Sequence, residues 1–568
     1  MTASTSPQTP RQVADGFVDA LCDLDPILAT TLGARPGDDR LPDPGPAGLE
    51  AEAELFRTTL AELDRVLAED PALEDDPIER RCARLLRERL GAELAAHEAG
   101  EGYRALSNIF GPLHSIRQVF SLMPAATDED WAVIARRMAR VPEAYRGLRA
   151  ALEEGARRGL FAAPRQVTTV VGQLDEWLAG PYFANFVAAG PDGLRADLEA
   201  GARAADGAVA ELRDFLRDTY APQAQGTPDA VGRERYALTA RRWTGSDLGA
   251  GDGLEEAYRY GWAEHQRILA EQRAEAEKVL PGATPMEAMR WLDENGPAVE
   301  GVEAIRQRLQ TMMDEAIEAL DGTHFDLAEP VRRVEAMIAP PGSAAAPYYT
   351  RPSQDFSRPG RTWLPTLGRE RFPLWDLVST WYHEGVPGHH LQLAQWAYVA
   401  PQLSTYQTSV GSVSANAEGW ALYAERLMDE LGFLTDPGAR LGYLDAQQMR
   451  AIRVVIDIGM HLELPIPDDA DGVLADHRGQ PWTPELARAF FGAYCGREPA
   501  FLDSELVRYL GAPGQAISYK LGERAWLAGR EAAQRARGAD FDLKAWHMAA
   551  LSQGSLGLDD LTAELAAL

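Results

Sequence analysis

Apolar residues recurring every three or four positions dominate this chain, and that rhythm restricts it largely to helices packed on helices. Ala51 to Leu67, Glu79 to His97, Asp130 to Arg158 and Leu194 to Thr219 are rich in the helix formers Ala, Leu, Glu and Arg. Alternating patterns that would make half-buried strands are scarce. Pro, Gly and Ser cluster at 35–48, 222–232 and 339–360, which marks the expected joints. The expectation is a mainly α chain with a helical region over 1–338, jointed near 222–232, and a site-bearing region over 339–568, continuous as one structural unit. Pro347 to Trp363, with Tyr348, Tyr349 and Thr350, reads as short edge strands or an extended loop. Gly249 to Gly253 follows no strand and carries Asp252, so it predicts a turn before a helix rather than a phosphate cradle.

At 568 residues, 45% of them hydrophobic, the chain can bury a large core without metal or disulfide support. Its 86 acidic residues against 56 basic ones leave a net charge of −30, which argues against nucleic acid and anionic membranes as partners. Lysine occurs only at 278, 520 and 544, never in a phosphate-binding loop, and no serine has glycine at both −2 and +2. Cys22, Cys82 and Cys495 are too far apart for a thiolate metal site or a disulfide framework, so buried thiols in a reducing compartment are expected. Met1 to Val13 is polar and holds no apolar leader segment. The long uncharged stretch from Leu391 to Ala417 contains Pro401 and Asn416, which suits buried protein better than a membrane span. Together these features predict a cytoplasmic protein.

Three of the ten histidines fall within eight residues, in His383-Glu384-Gly385-Val386-Pro387-Gly388-His389-His390. Pro373 opens the approach, and Leu374, Leu377, Val378 and Trp381 form an apolar stripe, so a helix is expected to deliver His383 and Glu384 from its polar edge. His-Glu at this point is similar to H-E-x-x-H, in which two imidazoles bind zinc and the glutamate activates water. Here the second histidine is six residues on, and six residues of ideal helix turn about 600°, a third of a turn out of line. Pro387 must kink or end the helix, and Gly388 frees the chain to turn back, so that His389, with His390 in reserve, returns to the metal. A third ligand is expected at Glu418, early in a helix that starts near Ser414 or Asn416, with Glu425 behind a ligand histidine.

Downstream, Arg450, Arg453, Asp457 and His461 recur on one face of an apolar helix. His461, oriented by Asp457, is a candidate to contact substrate or intermediate. Tyr509 is the first candidate for oxyanion donor and Tyr519 the second, while Arg508 is placed to bind a substrate carboxylate or to pair with Glu505. Tyr348 and Tyr349 are candidates to line a groove as an edge for an extended peptide.

The segments His383 to Gln392, Glu418 to Glu425, Asp457 to His461 and Pro513 to Lys520 together resemble the bacterial family known as domain of unknown function 885. Through it the chain is similar to the zinc peptidases that include thimet oligopeptidase, angiotensin-converting enzyme and carboxypeptidase Taq. That resemblance implies a two-lobed helical fold around a deep groove, zinc on His383, His389 and Glu418, and Glu384 as general base. The expected activity is hydrolysis of a peptide; the alternatives are cleavage of a small non-peptide amide or C–N bond, and a binding protein with a vestigial metal site.

Overall fold

A computed structural model describes residues 8–340 and 346–568. The first seven residues of the polar N-terminus and residues 341–345 of the 339–360 joint lie outside them. The described chain is mainly helical with two small sheets, as its periodicity predicts. It divides into two compact units. One comprises the residues up to Asp75, Leu86–Val231 and Val507–Pro513; the other comprises Asp76–Leu85, Gly232–Leu506 and Gly514–Leu568.

The first unit packs helices Pro112–Leu122, Asp128–Met138, Val141–Arg157, Pro164–Ala179 and Arg195–Phe215 around a core that includes Phe120, Ile134, Tyr145, Leu148, Val170 and Val209. The run from Asp130 to Arg158 is two helices rather than one. Pro142 has no N–H to give to the carbonyl four residues back, so the first helix stops at Met138 and the proline serves the first turn of the next.

The second unit holds the motifs. We label its main helices α1 (Gly253–Val279), α2 (Leu377–Glu384), α3 (His389–Val399), α4 (Ser414–Glu430), α5 (Pro437–Leu462) and α6 (Ser518–Arg537). The strands are β1 (Ala298–Glu300), β2 (Val334–Ile338), β3 (Tyr348–Thr350), β4 (Gly360–Leu364) and β5 (Arg371–Pro373). Almost every residue of α5 is buried, so it is the axis of this unit, with α1 and α2 packed against it. Helices α4 and α6 approach closely where Gly419 faces Gly522: a Cβ on Gly419 would lie 2.4 Å from the Gly522 carbonyl carbon.

In the three-stranded sheet β4 is central, parallel to β2 and antiparallel to β3, which leaves β3 at an edge. Pro373 ends β5, opposite Ala298 of β1, instead of opening a helix; a proline is tolerated at a strand terminus, and the helix starts at Leu377. The turn expected at Gly249 to Gly253 leads into α1. The three cysteines are buried, and none forms a disulfide. Among the described residues no helix is long and apolar enough to cross a membrane.

Candidate metal centre

Helix α2 ends at Glu384, and α3 begins five residues later at His389. The turn between them is tight. Val386–Pro387 is cis, the Gly388 N–H donates to the Tyr382 carbonyl (3.0 Å) and the His390 N–H to the Gly385 carbonyl (3.1 Å). Any Cβ on Gly388 would lie 1.9 Å from the His383 carbonyl oxygen, so only glycine fits there. From α4, the indole N–H of Trp420 reaches the carbonyls of Pro387 (3.0 Å) and Gly388 (3.1 Å). This turn replaces the missing helical register and sets the His383 and His389 rings 4.8 Å apart, nearly perpendicular.

Glu418 faces both rings. Its Oε2 is 3.4 Å from His383 Nε2 and 3.7 Å from His389 Nε2. The carboxylate of Glu384 joins the two imidazoles, with ligand atoms of all three within 4.8 Å of one another. Glu418 Oε2 is buried without a hydrogen-bond partner, and so is His389 Nδ1. Ligand atoms 2.0 to 2.2 Å from one tetrahedral ion lie about 3.3 to 3.6 Å apart, close to both separations here. Two imidazoles and a carboxylate are also a donor set that suits zinc. The residues therefore fit a divalent metal, which His383, His389 and Glu418 would hold. Glu384 accepts no hydrogen bond from a described residue and stands beside them.

The back of His383 is built as carefully. Its Nδ1 donates to Glu425 Oε1 at 2.7 Å, which leaves the Nε2 lone pair for a ligand. Arg450 of α5 pairs with the same Glu425 oxygen at 3.2 Å, and Ser379 donates to Glu425 Oε2. Burial opposes charge at all of these groups. Even so, the carboxylates of Glu418 and Glu425 beside it hold the His383 pKa above its ordinary value, and Glu418, next to His383 and His389, is held low. Glu384 has no such partner, and burial raises its pKa to about 7.

His390, the reserve ligand, is committed elsewhere. Its Nε2 donates to the Val331 carbonyl (2.7 Å), and its Nδ1 accepts from the Tyr349 hydroxyl (2.9 Å). Tyr349 thereby ties β3 to α3, while Tyr348 stacks on Trp363. Glu418 is the fifth residue of α4, because the helix starts one turn ahead of it at Ser414, and Asn416 bonds Gln392 and the Leu556 carbonyl instead of capping.

His461 lies eleven residues beyond Arg450, about 16 Å further along α5, in a second polar cluster. There Asp457 Oδ2 accepts from the Tyr236 hydroxyl (2.7 Å) and the Gly514 N–H (3.0 Å), and Asp457 Oδ1 is 3.7 Å from His461 Nε2. Arg453 pairs with Glu505 and lies over the Tyr519 ring. Arg508 and Tyr509 belong to the other unit, where the guanidinium covers the Tyr509 ring. The motif reading missed Ser379, although its place four residues before His383, on the same helix face, is a usable signal. It also left Arg450 without a partner.

Fold and site together define a helical protein with a cluster of two histidines and two glutamates suited to a divalent metal. The chain belongs to the family described as bacterial protein of unknown function (DUF885), which matches residues 26–565. No curated protein matches it. It is similar to a solved structure from Colwellia psychrerythraea described as a "putative lipoprotein", with 20% identity, a TM-score of 0.83 and 98% of each chain covered. A second, from Shewanella oneidensis, is described as a "putative lipoprotein of unknown function"; it has 19% identity and a TM-score of 0.72, over 98% of this chain and 100% of that one. At these identities the likeness shows the shared fold. The descriptions overturn the expectation of a cytoplasmic protein. Its weak point was the cysteines: thiols this deeply buried are shielded from oxidants and do not report a redox compartment.

Proposed function

We propose that the protein is a zinc-dependent peptidase, and that it works in the cell envelope. The observation that carries this reading is the convergence of His383 Nε2, His389 Nε2 and Glu418 Oε2 beside a Glu384 carboxylate that no described residue engages. The resemblance of the motifs to zinc peptidases supports a peptide substrate, and the lipoprotein description of both solved relatives supports the location. A bound zinc ion supplies Lewis acidity, which polarises a carbonyl and acidifies a water molecule. Glu384 takes the proton of the attacking water and passes it to the leaving nitrogen. Glu425, Ser379 and Arg450 keep His383 in the tautomer and orientation that its role as ligand requires.

The test is Glu384→Gln, assayed against a peptide library alongside zinc analysis. The expected result is equimolar zinc with kcat/KM reduced about 10³-fold. Turnover at the wild-type rate would refute the assignment. Wild-type activity should rise with pH as Glu384 loses its proton, and the acidic limb should lie at or below pH 7, since burial raises this group and a nearby cation lowers it.

A further inference from the structure

Arg351 directly follows the edge strand β3, two residues beyond the Tyr349 that touches His390. Two residues of extended chain span about 7 Å, which is the reach from Arg351 back to Tyr349. Its Nη1 donates to the Thr408 carbonyl at 2.5 Å, and no carboxylate of a described residue pairs with it. That is unexpected in a chain with 86 acidic residues against 56 basic ones. The nearest acid in sequence, Asp355, is spent within its own loop, where it accepts from the Ser353 hydroxyl and from the N–H and hydroxyl of Ser357. A half-buried guanidinium without a counter-charge bears an uncompensated desolvation cost, and burial lowers the pKa of Arg351 for this reason.

Thr408 also lines a pocket of about 460 Å³, in the same unit. Phe356, Tyr398 and Pro401 make its apolar walls, and Gln354 and Thr405 add polar edges. Tyr398 is half exposed, although it is a large aromatic residue. A pocket with both apolar and polar walls, one residue of which holds a guanidinium that lacks an anion, fits a ligand that carries a carboxylate beside an apolar group.

We propose that Arg351 and this pocket bind the carboxyl-terminal residue of a peptide, the carboxylate on the guanidinium and the side chain between Phe356 and Tyr398. The substrate identity rests on the peptidase reading; the carboxylate site does not.

Calorimetric titration of the full chain with N-acetyl-phenylalanine and with its carboxamide tests this. The acid is expected to bind at least tenfold more tightly than the amide, with the ratio falling to within twofold in Arg351→Gln and partly restored in Arg351→Lys. Equal affinities in the wild type, or no binding of the acid, would overturn the proposal. So would a preference that survives Arg351→Gln, because the carboxylate would then be held by the metal. Zinc content and Glu384→Gln judge the peptidase reading separately: an Arg351-dependent preference in a protein that cleaves no peptide would leave the carboxylate site standing and refute the peptidase.

Discussion

The metal cluster and the Tyr236–Asp457–His461 cluster both draw on α5, and both are buried, yet their polar groups end differently. One oxygen of Asp457, Oδ2, is taken by a tyrosine hydroxyl and a backbone N–H, which fasten α5 to helix Gly232–Thr244 and to Gly514. Glu418 turns an oxygen without a hydrogen-bond partner toward two imidazoles. Composition does not separate the clusters, since each offers a carboxylate and a histidine. What separates them is the arrangement of possible ligand atoms: Glu418 Oε2 faces two imidazole nitrogens with a second carboxylate beside them, whereas Asp457 has one oxygen taken by two donors and the other 3.7 Å from a single histidine.

Substitutions can break this contrast. The largest effect is expected from Glu418→Gln, which should abolish equimolar zinc, while Asp457→Asn should leave zinc untouched; loss of metal from both, measured by elemental analysis, would erase the distinction. Glu425→Gln should weaken zinc affinity by about 10- to 100-fold in competition with a chelator, as expected for a residue that orients a ligand histidine. Asp457→Asn should instead lower stability by about 1 to 3 kcal/mol in denaturant titration, because it disturbs the bonds of Tyr236 and Gly514.

A smaller effect concerns histidines outside both clusters. Burial lowers the pKa of His265 and His390 to about 4 and of His547 to about 3, from 6.5. Between these values the unfolded chain binds protons that the folded chain refuses, so their contribution to stability is complete above pH 6.5 and lost as pH falls toward 4. The melting temperature should decline by several degrees across that window in the wild type, and His547→Gln should flatten the slope. A slope that this variant leaves unchanged would show that His547 is not buried neutral.

Much of the fold follows from periodicity alone, because helices packed on helices repeat their apolar positions whatever their neighbours are. Tertiary partners decide the rest. Pro373 looks like a helix start until β1 supplies a strand for it to pair with, and Asp130 to Arg158 looks continuous unless Pro142 is read as a break. Within the site, His383, Glu384, His389 and Glu418 stand out because metal chemistry dictates residue type and local spacing. The choice between His389 and His390 was not legible, since it depends on the Val331 carbonyl and the Tyr349 hydroxyl, 59 and 41 residues earlier in the chain. Arg351 left no trace in the sequence either, because its significance is the absence of an acid in space.

The central claim is that His383, His389 and Glu418 are the ligands of one divalent metal. Anomalous diffraction from crystals of protein purified without chelator, recorded on both sides of the zinc absorption edge, tests it most directly. The account predicts a single zinc peak about 2 Å from His383 Nε2, His389 Nε2 and a Glu418 oxygen. A peak bonded to His390 or His461, or none after zinc has been added, would contradict it.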